Sequence, residues 1–274
     1  MAEQTAISWA DATFNPWIGC TKVSTGPRGA CENCYAERDN TFRGWVPGWG
    51  PGIPRRRTKT WGDPLKWNRQ AALTGYRPRV FCASLADVFD NEVEQAWRDD
   101  LWSLLRATPN LRWMLLTKRI GNAGKMLPAD WDWGMYDHVG LMATLATQEE
   151  WDRDYPKLKN VPAAWHGVSA EPLLGPINIG DDRPDWIITG GESGPGARPT
   201  HPEWLRSLRD QCERNGIAFH FKQWGEWVSV SEREGPGRHY SFEDGSTVRR
   251  LGTKAAGCTI DGREHKDFPE ALAA

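Results

Sequence analysis

LRWMLLT, Leu111 to Thr117, is a nearly continuous apolar run that stops at Lys118-Arg119. A strand with one wet face alternates polar and apolar side chains. A run like this one suits a strand covered on both faces, as in a parallel α/β sheet. The same signal recurs on either side. RVFCASL (Arg79 to Leu85) precedes it, and VGLMATLA (Val139 to Ala146), AAWHGVSA (Ala163 to Ala170), DWIITGG (Asp185 to Gly191) and AFHFKQW (Ala218 to Trp224) follow. Helical signals lie between them. A short helix is expected near Pro64 to Leu73, and Val93, Ala96, Trp97, Leu101, Leu104 and Leu105 recur at helical spacing between Asn91 and Thr108. Thr200-His201-Pro202-Glu203 forms a capping box with proline just inside, opening a helix that stops at Gly216.

Six strands alternating with helices predict a parallel sheet with right-handed crossovers, as a partial or full β/α barrel over residues 1–227. After Gly225 the alternation dissolves. Residues 228–274 are polar and glycine-rich, with a short hairpin expected in HYSFEDGSTVRRL, and read as an irregular C-terminal extension over one face or rim. No internal repeat is evident.

Composition sets outer bounds. The 274 residues are 39% hydrophobic and 26% charged, enough to bury one sizeable core. No apolar run reaches the roughly 18 residues of a membrane span. MAEQTAISWADATFNPW lacks the basic start and apolar stretch of a signal peptide, so a cytoplasmic location is expected. Six cysteines are too few for a disulfide scaffold and read as reduced thiols or metal ligands. Net charge is −2, which excludes a global basic field, and Trp occurs 17 times.

The chemistry of a parallel β/α sheet gathers past the C-terminal ends of its strands. There the chain places Ser84 and Asp87, then Thr117, Lys118 and Arg119, then Ser169 and Glu171, then Gly190, Gly191, Glu192 and Ser193, then Lys222 and Gln223. Any one of these can simply solubilise a loop, but the set would converge on one mouth. Glu171 and Glu192 stand out, because each lies between a buried strand and a tight Gly/Pro turn (EPLLGP, GGESGPG) where backbone can approach a ligand. With Lys118 and Lys222 they are the candidate catalytic residues.

NPWIGCTKVSTGPRGACENCYAER carries Cys20, Cys31 and Cys34 at the spacing C-x10-C-x2-C. Three thiolates from one loop leave a coordination position open, as a reactive centre requires. One reading is a [4Fe–4S] cluster with one iron free of cysteine. The competing reading is structural zinc within a non-catalytic nucleic-acid-binding protein. Zinc wants a fourth ligand, and no histidine precedes His138. Three unrelated buried thiols form the third. Of the other cysteines, Cys212 reads as core packing and Cys258 has no local signal. Cys82 reads as an outward-facing small hydrophobe on its strand, with a hydrogen-donor role only if it points into the barrel.

CENCYA resembles the C-x2-C-aromatic end of the radical S-adenosylmethionine cysteine motif. The usual spacing there is C-x3-C-x2-C, and this loop has seven more residues between Cys20 and Cys31. Across nearly the whole chain, FNPWIGCTKVSTG, CENCYAE, SLADVFDNEV, LLTKR, SAEPLLGPI, GGESGPGARP, LRDQCERNGIAFHFKQWG and GTKAAGCTIDGREH resemble a phage-associated, three-cysteine-motif family of unknown function. The resemblance implies a cluster on Cys20, Cys31 and Cys34, S-adenosylmethionine as cofactor, a 5′-deoxyadenosyl radical, and an electron donor such as flavodoxin or ferredoxin. Gly190-Gly191-Glu192 comes later in the chain than the Gly-Gly-Glu of radical enzymes, so Ser84 and Asp87 are the better-placed cofactor contacts. Thr117, Gly190 and Gly191 are the other candidates.

From Thr41 to Arg79 the basic residues are Arg43, Arg55, Arg56, Arg57, Lys59, Lys66, Arg69, Arg77 and Arg79, against the single acid Asp63. Trp45, Trp49, Trp61, Trp67 and Tyr76 are interleaved. Cations among flat rings suit nucleic acid, with phosphates on the cations and bases on the rings, although a solvated basic loop has the same composition.

Overall fold

The computed structural model describes residues 5–131 and 134–272. Seven strands form one sheet: β1 (Ala12–Thr13), β2 (Arg79–Cys82), β3 (Arg112–Thr117), β4 (Val139–Thr144), β5 (His166–Ala170), β6 (Trp186–Gly190) and β7 (Ala218–Gln223). Every pairing is parallel, and the strands stand in chain order. An order that never reverses is barrel topology, whereas a doubly wound sheet has a switch point. The edges β1 and β7 do not pair with each other, so the α/β barrel is partial and open. The six strands expected from sequence are all present. The seventh, β1, is two residues long and gives no periodic signal.

The main helices are α1 (Tyr35–Arg43), α2 (Asp63–Thr74), α3 (Gln95–Arg106), α4 (Gln148–Lys159) and α5 (Pro202–Asn215). Helices α1 and α4 were not anticipated. The first lacks an apolar stripe, and the second carries Pro156 inside it.

Strand alternation sorts the side chains into two layers. Outward, Val80, Trp113, Leu115, Leu141, Val168, Ile187 and Phe221 pack with Leu101, Leu105, Trp151, Leu158, Leu205 and Leu208 of the helices. Inward, Phe81, Met114, Met142, Trp186 and Ile188 pack with Trp9 and Trp165 into a dry floor. Gly140 leaves room for the Trp165 ring, which a Cβ at that position would strike. Above the floor, toward the C-terminal strand ends, the inward positions become polar at Thr144, Ser169 and Lys222, while Ala83 and Leu116 stay apolar.

The C-terminal segment lies along the free edge of the barrel. His265 O accepts from Phe221 N at 2.9 Å, and Asp267 N donates to Phe219 O at 3.2 Å. Phe268 and Leu272 then complete the floor. Covering an open edge this way removes a surface on which another chain could pair. A separate antiparallel sheet comprises β8 (Trp227–Ser229), β9 (His239–Ser241) and β10 (Thr247–Arg250), with β9 and β10 forming the expected hairpin. Among the described residues no helix is long and apolar enough to cross a membrane.

His220, on β7, is fully buried, with Nε2 2.9 Å from Ser8 Oγ. Burial, reinforced by Lys266, Arg79 and Lys222, pushes its pKa from 6.5 down to about 3. The ring stays neutral in the fold and takes a proton once the chain unfolds. Its contribution is complete above pH 6.5 and is lost as pH falls toward 3, at up to about 1.4 kcal/mol per pH unit. Urea unfolding between pH 4 and 7 should therefore show a shallower pH slope for His220→Gln than for the unsubstituted chain. Equal slopes would assign the pH dependence elsewhere.

Candidate functional site

Cys20 follows the two-residue strand Trp17–Ile18, which pairs with Arg56–Arg57 beside the barrel. Cys31 and Cys34 immediately precede α1, and Cys34 occupies its N-cap position. The partial positive charge of that helix end favours thiolates or an anionic group there. All three cysteines line one cavity of about 550 Å³ that reaches the C-terminal ends of the barrel strands.

The long stretch between Cys20 and Cys31 has little regular structure to satisfy its backbone, and side chains do so instead. Arg198 donates to the carbonyls of Pro27 and Gly29 at 3.0 and 3.1 Å. Ser24 Oγ donates to Glu150 at 2.7 Å, and the other oxygen of Glu150 accepts from Ala146 N at the end of β4. Arg119 donates to Thr21 O. The loop is thus tied to the barrel from three directions.

The candidate residues take different places. Ser84, Asp87, Thr117, Lys118, Glu171, Gly191, Glu192 and Lys222 all line the cavity. Gly190 is not part of its wall; its carbonyl accepts from Leu173 N at 2.9 Å. Gly191 must be glycine because a Cβ would meet the Trp224 carbonyl. Glu192 is already satisfied: Arg198 grips it at 2.5 Å and Asn33 Nδ2 donates to it at 3.0 Å. Asp87 is equally committed, accepting from Thr117 Oγ1 at 2.7 Å, Lys118 N at 2.9 Å and Phe89 N at 3.0 Å. Glu171 pairs with Lys222 at 3.2 Å inside the cavity. Among the described residues Lys118 Nζ has only the Thr144 hydroxyl, at 3.3 Å, so it keeps donors for a ligand.

Burial pushes the Cys20 thiol up to about 12, with Asp87 and Asp90 adding to the shift and Arg119 opposing it. Binding a metal there would displace a tightly held proton. Tyr35 also lines the cavity and donates to Ser84 O at 2.6 Å. Although Tyr35 is 46% exposed, desolvation at its hydroxyl, with Cys34 and Glu171 nearby, raises its phenol pKa. Tyr35 and Arg198 were not among the candidates, and Arg119 stood only in the strand-end set, with no role given to it. The aromatic after CENC was the one available signal, for Tyr35. Among the described residues no three His, Cys, Asp or Glu side chains are grouped to hold a single metal ion.

Cys82 packs on the outer, helix-facing side of β2, away from the cavity, and Cys212 is in the same core. The basic aromatic segment does not form one surface. Arg55 is buried against Asp90 at 2.8 Å, Arg57 pairs with Asp100 at 2.7 Å, and Arg79 pairs with Asp11 at 3.0 Å. Trp67 is core and Trp61 packs against it. Arg43, Arg56, Lys59, Lys66 and Arg69 remain exposed.

The fold and site define a class: an open parallel β/α barrel with three cysteines on a cavity at its strand ends. The family described as "Protein of unknown function (DUF5131)" matches residues 4–269, and the chain belongs to it. That match says nothing about phage association. No curated protein matches. Solved structures of spore photoproduct lyase are similar. One, with bound AdoMet and dinucleoside spore photoproduct, is 12% identical with a TM-score of 0.46, over 91% of this chain and 71% of that one. A mutant of the same lyase with dinucleoside spore photoproduct is 10% identical, also at a TM-score of 0.46.

The Arg198 ties predict that Arg198→Ala loosens the loop without unfolding the barrel. Each charge-assisted bond contributes about 1.5–3 kcal/mol, so alkylation of the buried Cys31 should quicken by about tenfold or more. Mass spectrometry of the timed reaction measures it. An unchanged rate would show that the loop is held by other contacts.

Proposed function

We propose that this chain is a radical S-adenosylmethionine enzyme. The observation that carries the reading is the placement of Cys20, Cys31 and Cys34 on one cavity with the polar strand ends of an open parallel barrel. The donor set suits a cluster better than one ion. Zinc needs its ligands about 2.3 Å from a single point. A [4Fe–4S] cluster takes each thiolate at a different iron, and three cysteines lining one cavity would leave its fourth iron open to a ligand. When bound, the cluster and S-adenosylmethionine supply an electron, sulfonium cleavage and a 5′-deoxyadenosyl radical that abstracts hydrogen from substrate.

The protein's own part is to hold and shield. Cys20, Cys31 and Cys34 ligate three irons. Lys118 offers free ammonium donors to a carboxylate, and Glu171 offers acceptor oxygens to an amino group. Ser84, Thr117 and Gly191 line the wall beside them, with Gly190 just behind. Asp87 and Glu192 act by holding neighbours rather than by touching substrate, since their oxygens are already engaged. The floor of Trp9 and Phe81 keeps water from one side of the cavity.

For substrate we propose a nucleotide or nucleic-acid base. The support is Trp49, which lines both the cysteine cavity and an adjoining surface cleft of about 520 Å³ that also holds Trp45. Arg43 stands 5.4 Å over the Trp45 ring, and Arg56 and Lys59 are exposed, where phosphates could reach them. A one-electron donor of the flavodoxin or ferredoxin type completes the system.

Anaerobic reconstitution with iron and sulfide should load about four irons per chain. Reduction in the presence of S-adenosylmethionine should then release 5′-deoxyadenosine, and Cys31→Ala should abolish both. Stoichiometric zinc without iron would overturn the proposal in favour of a zinc-stabilised nucleic-acid-binding protein.

A further inference from the structure

The three cysteines are not equivalent. Arg119, two residues beyond the end of β3, is almost wholly buried, and its Nη1 lies 3.4 Å from Cys20 Sγ. The same nitrogen is 3.3 Å from Asp87, while Nη2 donates to Thr21 O and is 3.8 Å from Asp90. Neither carboxylate can swing away. Asp87 is fixed by Thr117 and two backbone amides. Asp90 is fixed by Arg55 at 2.8 Å, and both those side chains are 2% exposed or less. Arg55 in turn donates to Thr21 Oγ1 at 2.7 Å and to Ile53 O at 2.7 Å. Arg119 and Arg55 with Asp87 and Asp90 thus form a buried ion-pair lattice under the first cysteine, joined at its rim by Glu92, 3.6 Å from Arg55, with one guanidinium edge aimed at the sulfur.

We propose that Arg119 is a positioning residue for Cys20 and raises the reduction potential of the cluster the three cysteines hold. The inference rests on the cluster reading above. Reducing a cluster adds negative charge to its sulfurs. A cationic donor stabilises the reduced state more than the oxidised one, and does so strongly where the surroundings are dry. Asp87 acts in the opposite sense, as a fixed negative charge behind the same sulfur. The pair therefore sets the potential by balance, and removing either partner shifts it in a known direction.

The test is a redox titration of the anaerobically reconstituted protein, with dithionite as reductant and the reduced cluster followed by electron paramagnetic resonance. Arg119→Met should load iron as the unsubstituted chain does, yet show a tenfold lower reduced-to-oxidised ratio at a fixed poise. For one electron that is about 59 mV downward. Arg119→Lys should recover part of the shift. Asp87→Asn should move the potential upward, which keeps the inference testable if Arg119→Met does not fold. Arg198→Ala, which frees the loop elsewhere, should lose iron more readily while leaving the potential of its loaded fraction unchanged. An iron-loaded Arg119→Met with an unshifted or higher potential, or an Asp87→Asn with an unshifted or lower one, would overturn the inference and leave the cluster reading standing. An unsubstituted chain that takes up no iron would overturn both.

Discussion

Guanidinium groups bonded to loop carbonyls are the interaction on which the rest depends. The segment between Cys20 and Cys31 lies at the cavity with few backbone bonds of its own, Cys31 N to Ser24 O and Gly29 N to Gly26 O among them. A carbonyl without a donor is costly once water is excluded. Arginine answers that need because it presents five N–H donors in a rigid fork. Arg119 and Arg198 reach this loop from beyond the ends of two different strands, β3 and β6, and Arg55 serves the neighbouring stretch. Each is also paired with a carboxylate, so the charge is not left alone. The cysteines are consequently placed by the protein itself.

The barrel supplies the other half of the arrangement. Inward positions on the strands are bulky and apolar low down, where Phe81, Met114 and Met142 meet Trp9 and Trp186. One repeat higher Thr144, Ser169 and Lys222 are polar and line the cavity, while Ala83 and Leu116 keep the β2 and β3 side of it apolar. The same alternation therefore makes a dry base and a polar mouth, and the cysteine loop lies over the mouth.

The strands were legible because burial on both faces leaves apolar runs such as LRWMLLT, and α5 was legible from its capping box. Strand β1 was not, since two residues carry no period. Helix α4 hid behind Pro156 and many charges, although Trp151, Tyr155 and Leu158 do face the core. At the site, cysteine spacing and strand-end chemistry could be read directly. What could not be read was pairing across the chain. Arg55 looked like part of a basic surface, yet Asp90 takes it inside. Glu192 looked like a catalytic acid, yet its oxygens are occupied by Arg198 and Asn33. Composition reports which groups are charged and is silent on which distant group neutralises them.

The floor of the barrel also has a consequence for biosynthesis. Phe268 and Leu272 belong to the same inner cluster as Trp9, so a segment before the first barrel strand and one after the last meet there. A nascent chain can form its first strands and helices as they emerge. It cannot finish the floor, or cover the edge of β7, until residue 272 has left the ribosome. Until then the open edge and an unfilled apolar trough are exposed together, which is the condition that favours aggregation of an incomplete chain.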